Sequence, residues 1–347
     1  MSTGTTATGP PTSADPTPYL TSLLRDGFVH IPSLIPEKQI ASLREAASHI
    51  TSLARKGQWP HIRSVPKQFP PWPPTPPPAS EGNIWGVQHL LHPEMPGREE
   101  FAKLYFSPDV LAVVEELLGL KIANLSTSSA SEKKERLVME LFNLLVSPTN
   151  RDFELRWHRD DVPTPPELSA EDELRQIQEK SPPGASQSHA QYNLALYPDT
   201  SLIVIPGSHR RARNEVERAA APYEAHIPGQ ITVTMQPGDA VFYDSNIFHR
   251  GVYRGITTDD NLDLVEGGDK YIRMTLHGSV GLADGDTAEG DEKKDVKVRA
   301  RAVLQHGVGA WVARSDAGFE IGERPEAMRK LLVEMGTGED VGYSLEG

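Results

Sequence analysis

Residues 236–251 read QPGDAVFYDSNIFHRG, and the order of residue types in this stretch decides the fold. Pro237-Gly238 is a turn, Ala240 to Tyr243 is a short apolar run of strand composition, and the chain then delivers His249 beside Arg250-Gly251. The same alternation of brief strand and tight turn appears upstream, where Leu202 to Ile205 runs into Pro206-Gly207-Ser208-His209. Further β-type runs are expected at Leu137 to Val146, Leu155 to Trp157, Tyr192 to Tyr197, Ser201 to Ile205, Gln230 to Met235 and Tyr271 to Leu276. Short strands punctuated by Pro and Gly, with few long helices among them, predict a mainly β protein with flanking helices, a sandwich or jelly-roll barrel.

Outward from this core the expected organisation is a single domain. Residues 1–18 read as a disordered tail, and 19–136 as a mainly helical N-terminal part. The β-barrel core is expected over 137–281 and a C-terminal extension over 282–347. In the N-terminal part, a short helix from Tyr19, a strand at Gly27 to Ile31 and a helix opening at Pro36-Glu37 follow one another. Phe101 to Leu118 carries apolar residues near a 3.6-residue spacing and ends at Gly119, which predicts one helix. Residues 57–82 contain PPWPPTPPP, an extended proline-rich loop expected to cross the surface. Val162 to Gln191, with a helix capped at Ser169, lies directly after the candidate metal strand and is expected to be a lid. Gly255 to Lys270 is an acidic insertion.

Composition narrows the function. The formal net charge of −13 over 347 residues disfavours a protein that tracks phosphates or anionic membranes, since both need a basic surface. No run approaches the roughly 18 apolar residues required to span a bilayer, and the opening residues lack the charged and apolar regions of a secretion signal. A soluble, cytoplasmic protein with a small-molecule substrate is the expectation. The absence of cysteine excludes disulfides, thiolate nucleophiles and Cys-ligated metal, so any metal must sit on His and carboxylate.

Such a set is visible in Trp157-His158-Arg159-Asp160-Asp161. In extended chain, residues two apart project to one side, so His158 and Asp160 can face the same ion. A distant histidine, His249, completes a two-His-one-carboxylate set, which suits non-haem iron(II) and leaves positions for a bidentate cosubstrate and dioxygen. The bland alternative is a polar strand end. A zinc hydrolase lacks support, because no His-Glu-x-x-His is present.

Taken together, DGFVHIPSLIP (26–36), WHRDD (157–161), the strand with IPGSH (205–209), PGDAVFYDSNIFHRG (237–251) and a late strand arginine resemble the phytanoyl-CoA dioxygenase family of 2-oxoglutarate oxygenases. The resemblance implies a double-stranded β-helix of cupin-like type, with His158, Asp160 and His249 as iron ligands and Arg273 as anchor for the cosubstrate carboxylate. It implies Fe(II), 2-oxoglutarate and dioxygen as reaction partners and hydroxylation or desaturation of a small organic or lipid-like substrate. Halogenating relatives replace the carboxylate, so Asp160 argues against that outcome.

Arg273 also stands on its own. In Tyr271 to His277 it shares a face with Tyr271 and Thr275, opposite Ile272, Met274 and Leu276, and an inward arginine requires an anion. Its distance from His249 exceeds the family's usual spacing, which leaves Arg254 as a competitor. Asn143, Tyr192 and Asn193 are candidate cosubstrate contacts, and Trp85, Gln88 and His89 candidate substrate contacts. The rival function is a redox-silent barrel that binds a metal or small molecule without turnover.

Overall fold

The computed structural model describes residues 17–69, 71–120, 135–181, 187–256, 272–283, 291–306, 311 and 317–336. Its strands are β1 (Phe28–Ile31), β2 (Ile62–Ser64), β3 (Ile84–Val87), β4 (Leu137–Val146), β5 (Phe153–Glu154), β6 (His189–Ala195), β7 (Leu202–Val204), β8 (Ile231–Thr232), β9 (Ala240–Tyr243), β10 (His249–Tyr253) and β11 (Met274–Leu282). They form a seven-stranded sheet in the order β1-β9-β6-β11-β4-β3-β2 and a four-stranded sheet in the order β5-β10-β7-β8. All the pairings between these strands are antiparallel. Two facing antiparallel sheets joined by non-sequential neighbours make a jelly roll.

Period-two alternation gives the large sheet two different faces. Phe142 and Leu144 of β4, Tyr192 and Leu194 of β6, Phe242 of β9, and Leu276 and Val280 of β11 turn to one side and join the main hydrophobic core. That side is covered by α1 (Pro18–Asp26), α2 (Glu37–Arg55), α3 (Arg98–Tyr105) and α4 (Pro108–Leu117), and by the C-terminal helices α6 (Asp291–His306) and α7 (Glu323–Met335). Helix α2 buries Ile40, Leu43, Ala47, Ile50 and Ala54, whose alternating three- and four-residue steps make the stripe of a helix lying on a sheet. The opposite face looks toward the small sheet. Its far end is sealed by Leu202, Val204, Met235, Val241 and Ile247, while its near end is polar and open.

Several expectations are corrected. The single helix at Phe101 to Leu118 is two helices, because Pro108 cannot continue the hydrogen-bond ladder from α3. Ser107 instead starts α4 by accepting from Val110 N at 3.3 Å, a cap contributing about 1 kcal/mol. Beyond the expected strand β1, the N-terminal part also supplies β2 and β3 to the large sheet. Leu155 to Trp157 lies outside any strand, and β5 occupies the two residues before it. The last strand begins at Met274, with Arg273 just ahead of it. Thr17 and Pro18, placed in the tail by sequence, cap and open α1. Residues 1–16 and most of the Gly255 to Lys270 insertion lie outside the described residues.

The expected lid is anchored, and the reason is electrostatic. Helix α5 (Ala170–Lys180) starts on the Ser169 cap and buries Glu173 completely. Glu173 accepts from Arg159 at 3.2 Å, from Arg213 at 3.2 Å and from Arg218 at 2.5 Å. The spare donors of Arg159 go to the carbonyls of Ser208, Asn246 and Arg211. Pulling this helix away would strand buried charges, which a freely opening lid cannot tolerate.

Candidate active site

The WHRDD segment passes from β5 toward β10, and there His158 and His249 pair as an isolated antiparallel bridge. His158 N donates to His249 O at 2.9 Å and His249 N to His158 O at 3.0 Å. Opposed residues of an antiparallel pair project to one side, which brings the ring centroids to 4.3 Å. In each ring Nδ1 meets a carbonyl two residues back, Arg156 O at 2.7 Å and Ile247 O at 2.9 Å. A carbonyl only accepts, so Nδ1 carries the hydrogen and Nε2 keeps its lone pair. Burial and the neighbouring His158 lower the pKa of His249 to about 4, which keeps that ring neutral at physiological pH.

Asp160 supplies the third donor. Its backbone N–H bonds Ser245 O at 2.8 Å, and its Oδ2 accepts from Gln191 Nε2 at 2.7 Å. This leaves Oδ1 at 3.5 Å from His158 Nε2 and 3.9 Å from His249 Nε2. Burial opposes ionisation of Asp160, but the charge of His249 and His158 whenever those rings take up a second proton, together with the Gln191 donation, outweighs it and holds the carboxyl below its ordinary range. The Asp160 side chain lines the cavity and keeps accessible surface there. His158, Asp160 and His249 offer atoms that all lie within 4.8 Å of one another. Given the Nδ1–H tautomers, three lone-pair donors converge with no proton between them, an arrangement that a cation relieves. Two imidazoles and one carboxylate are the donor set of non-haem iron(II).

The donors stand in a cavity of about 250 Å³ between the two sheets. At another part of its wall, Arg273 is held from two sides. Its Nε donates to Asp199 Oδ2 at 2.9 Å, and its guanidinium lies 4.3 Å from the centroid of the Tyr253 ring. Nη1 is buried without a hydrogen-bond partner among the described residues. Burial disfavours a charged Asp199, yet Arg273, Ser201 and Thr275 outweigh it, so this carboxyl also stays below its ordinary range. A fixed guanidinium with one edge satisfied and one buried donor unused fits a ligand carboxylate. Arg254 is exposed, pairs with Asp152 at 2.6 Å and does not line the cavity.

The other sequence candidates divide. Asn193 lines the cavity and bonds His277 Nδ1 at 2.9 Å. Burial, with the nearby Arg63, lowers the pKa of His277 to about 3. Trp85 lines the cavity and stacks on Tyr253 with centroids 5.7 Å apart. Tyr192 turns to the helix-covered core, a consequence of its parity with Leu194. Asn143 shares the inner face but spends Oδ1 on His89 N at 3.0 Å. Gln88 bonds Ile62 O, and His89 packs against His61 at 5.0 Å, both away from the cavity wall. Gln191, Asp199, Tyr253, His277 and Arg63 went unnoticed in the sequence. Of these only His277 carried a signal, its period-two relation to Arg273 and Thr275. Phe69 and Trp72 of the proline-rich segment also line the cavity, so this segment is a wall of the site.

The family model of phytanoyl-CoA dioxygenase (PhyH) matches residues 23–252. No curated protein sequence matches the chain. Among solved structures, AviO1 from Streptomyces viridochromogenes Tue57 is similar at 14% identity and TM-score 0.48, over 81% of this chain and 99% of that one. EctD from S. alaskensis with bound Fe is similar at 18% identity and TM-score 0.47, over 76% of this chain and 75% of that one. The epimerase SnoN, crystallised with Fe3+, alpha ketoglutarate and nogalamycin RO, is similar at 14% identity and TM-score 0.45, over 79% and 91%.

Proposed function

Because the chain belongs to the phytanoyl-CoA dioxygenase family, an enzyme family that uses iron and 2-oxoglutarate, we propose that it hydroxylates or desaturates a small organic or lipid-like substrate at the cavity between its sheets. The observation that carries this reading is the convergence of His158 Nε2, His249 Nε2 and Asp160 Oδ1 in a cavity that also holds the unsatisfied Nη1 of Arg273. When bound, the iron and its cosubstrate supply dioxygen activation, with 2-oxoglutarate leaving as succinate and carbon dioxide. The chain's own residues bind, orient and enclose. The Arg156 and Ile247 carbonyls fix both imidazole tautomers, and Gln191 turns Asp160 so that Oδ1 faces the donors.

Arg273 takes the distal carboxylate of 2-oxoglutarate in this reading, with Asp199 setting the plane of its guanidinium. Asn193 and His277 form a hydrogen-bonded pair on the same wall and orient the cosubstrate from the side. The apolar faces of Leu145, Trp85 and Tyr253 exclude water from the reacting carbon. Anaerobic titration of the protein with Fe(II) and then 2-oxoglutarate tests the reading. A weak visible charge-transfer band is expected to appear, and to fail in His158→Ala. Bound iron with no band on adding 2-oxoglutarate would overturn it.

A further inference from the structure

Besides Arg273 and the Glu173-paired Arg159, the cavity wall carries a third arginine, Arg63, which no part of the reading above uses. It sits on β2, the edge strand, and among the described residues it has no ion pair and its buried Nε has no hydrogen-bond partner. Its guanidinium is placed by aromatic rings instead, 5.1 Å from the centroid of Trp85 and 5.7 Å from that of Trp72. The side chain reaches inward across Gly86, its register partner on β3. A Cβ at Gly86 would come within 3.2 Å of Arg63 Cδ, so glycine there leaves the path open.

Arg63 and Arg273 are separated in the fold. Strands β3 and β4 lie between β2 and β11, and at about 4.8 Å per strand their backbones are roughly 14 Å apart. Arg273 is drawn further away by Asp199, which follows β6 on the far side of β11. Arg63 packs on Trp85 and Arg273 on Tyr253, two stacked rings that each take one guanidinium. A cation held on aromatic faces in the cavity wall, with no ion pair among the described residues, retains its demand for an anion.

We propose that Arg63, seated on Trp72 and Trp85, binds an anionic oxygen group, a carboxylate or phosphate, on the prime substrate, so that the enzyme selects small molecules with an apolar or aromatic body and one negative end. This rests on the oxygenase reading, since it assigns the second half of the same cavity. Phe69, Leu145 and Leu155 in the same wall offer the body apolar surface, and the arginine sets which end enters toward β2. Charge selection by one guanidinium is worth about tenfold or more, the scale of a charge-assisted hydrogen bond.

The test uses full-length protein loaded anaerobically with Fe(II) and 2-oxoglutarate, titrated with phenyl phosphate, with 4-phenylbutyrate and with the neutral 4-phenylbutyramide. Tryptophan fluorescence reads binding, and the charge-transfer band reads the cosubstrate in the same cuvette. Saturable binding of one or both anions is expected, at least tenfold tighter than the amide, and which anion wins distinguishes phosphate from carboxylate. Arg63→Met should lose that preference while 2-oxoglutarate affinity stays within about twofold, and Arg63→Lys should recover part of it. Gly86→Ala, which keeps the charge but obstructs its path, should weaken the anion without removing the band. Equal binding of anion and amide, no saturable anion binding, or a preference that survives in Arg63→Met would overturn the proposal. Loss of 2-oxoglutarate affinity in Arg63→Met would overturn it too, by assigning Arg63 to the cosubstrate. A wild-type protein without the band would instead defeat the oxygenase reading.

Discussion

At the scale of single residues, partner geometry separates candidates that sequence leaves level. Arg273 and Arg254 are both arginines downstream of His249, but only Arg273 brings an unused buried donor to the cavity. Arg273→Ala should raise the apparent 2-oxoglutarate requirement at least roughly tenfold, and Arg254→Ala should leave it within about twofold. Succinate formation against cosubstrate concentration checks this, and the reverse ranking would refute the assignment. Asp244 makes a different prediction. Burial, reinforced by Asp161 and opposed by the Asn246 N–H, Arg210 and Arg159, raises its pKa from 3.8 to about 6. A carboxyl whose pKa rises on folding contributes stability below its unfolded value and loses it as pH climbs through the folded one. Asp244→Asn does not titrate, so its stability relative to wild type should increase from pH 4 to pH 7, by up to about 3 kcal/mol. Urea melts at a series of pH values measure it, and a pH-independent difference would exclude the effect.

Among the elements, α5 and the proline-rich segment each depart from the role that its sequence suggests. Val162 to Gln191 is polar and proline-rich, as lids are, yet Glu173 ties its helix to three arginines, one of them Arg159 between His158 and Asp160. Glu173→Ala leaves those buried guanidiniums uncompensated and should cost about 3–5 kcal/mol, whereas exposed Glu171→Ala should cost under about 0.5 kcal/mol. Chemical denaturation decides between them, and a mild Glu173→Ala would restore the mobile-lid reading. Residues 57–82, in contrast, contribute Arg63, Phe69 and Trp72 to the cavity. Prolines stiffen this stretch by fixing φ, which suits a wall better than a moving cover.

For the molecule as a whole, the candidate metal site and the hydrophobic core are different regions. His158, Asp160 and His249 face the polar cavity, while the main core lies on the other face of the large sheet under the helices. Chelation of iron should therefore leave the far-UV circular dichroism unchanged, and added Fe(II) should raise Tm in proportion to the logarithm of its excess over Kd. His158→Ala and His249→Ala should remain folded and lose both the iron and the Tm response. Global unfolding of the metal-free protein would show that the core depends on the ion. Among the described residues no helix is long and apolar enough to cross a membrane.

Local sequence carried what depends on local physics. Strands β4 and β9 have the bounds that composition and turns predict, because apolar alternation between breakers is a short-range property. His158 and Asp160 share a side because they stand two apart in extended chain, and the Ser169 cap is legible for the same reason. Short apolar runs between Pro and Gly turns made a jelly roll the expected fold. What the sequence could not contain is which distant residues meet. Pairing of His158 with His249, the turning of Tyr192 toward the core, the capture of Glu173 by three arginines and the reach of Arg63 across Gly86 all depend on strand register and burial. Register couples residues far apart in the chain, and a buried charge acquires its role from whatever the fold leaves beside it. Only the tertiary structure decides those neighbours.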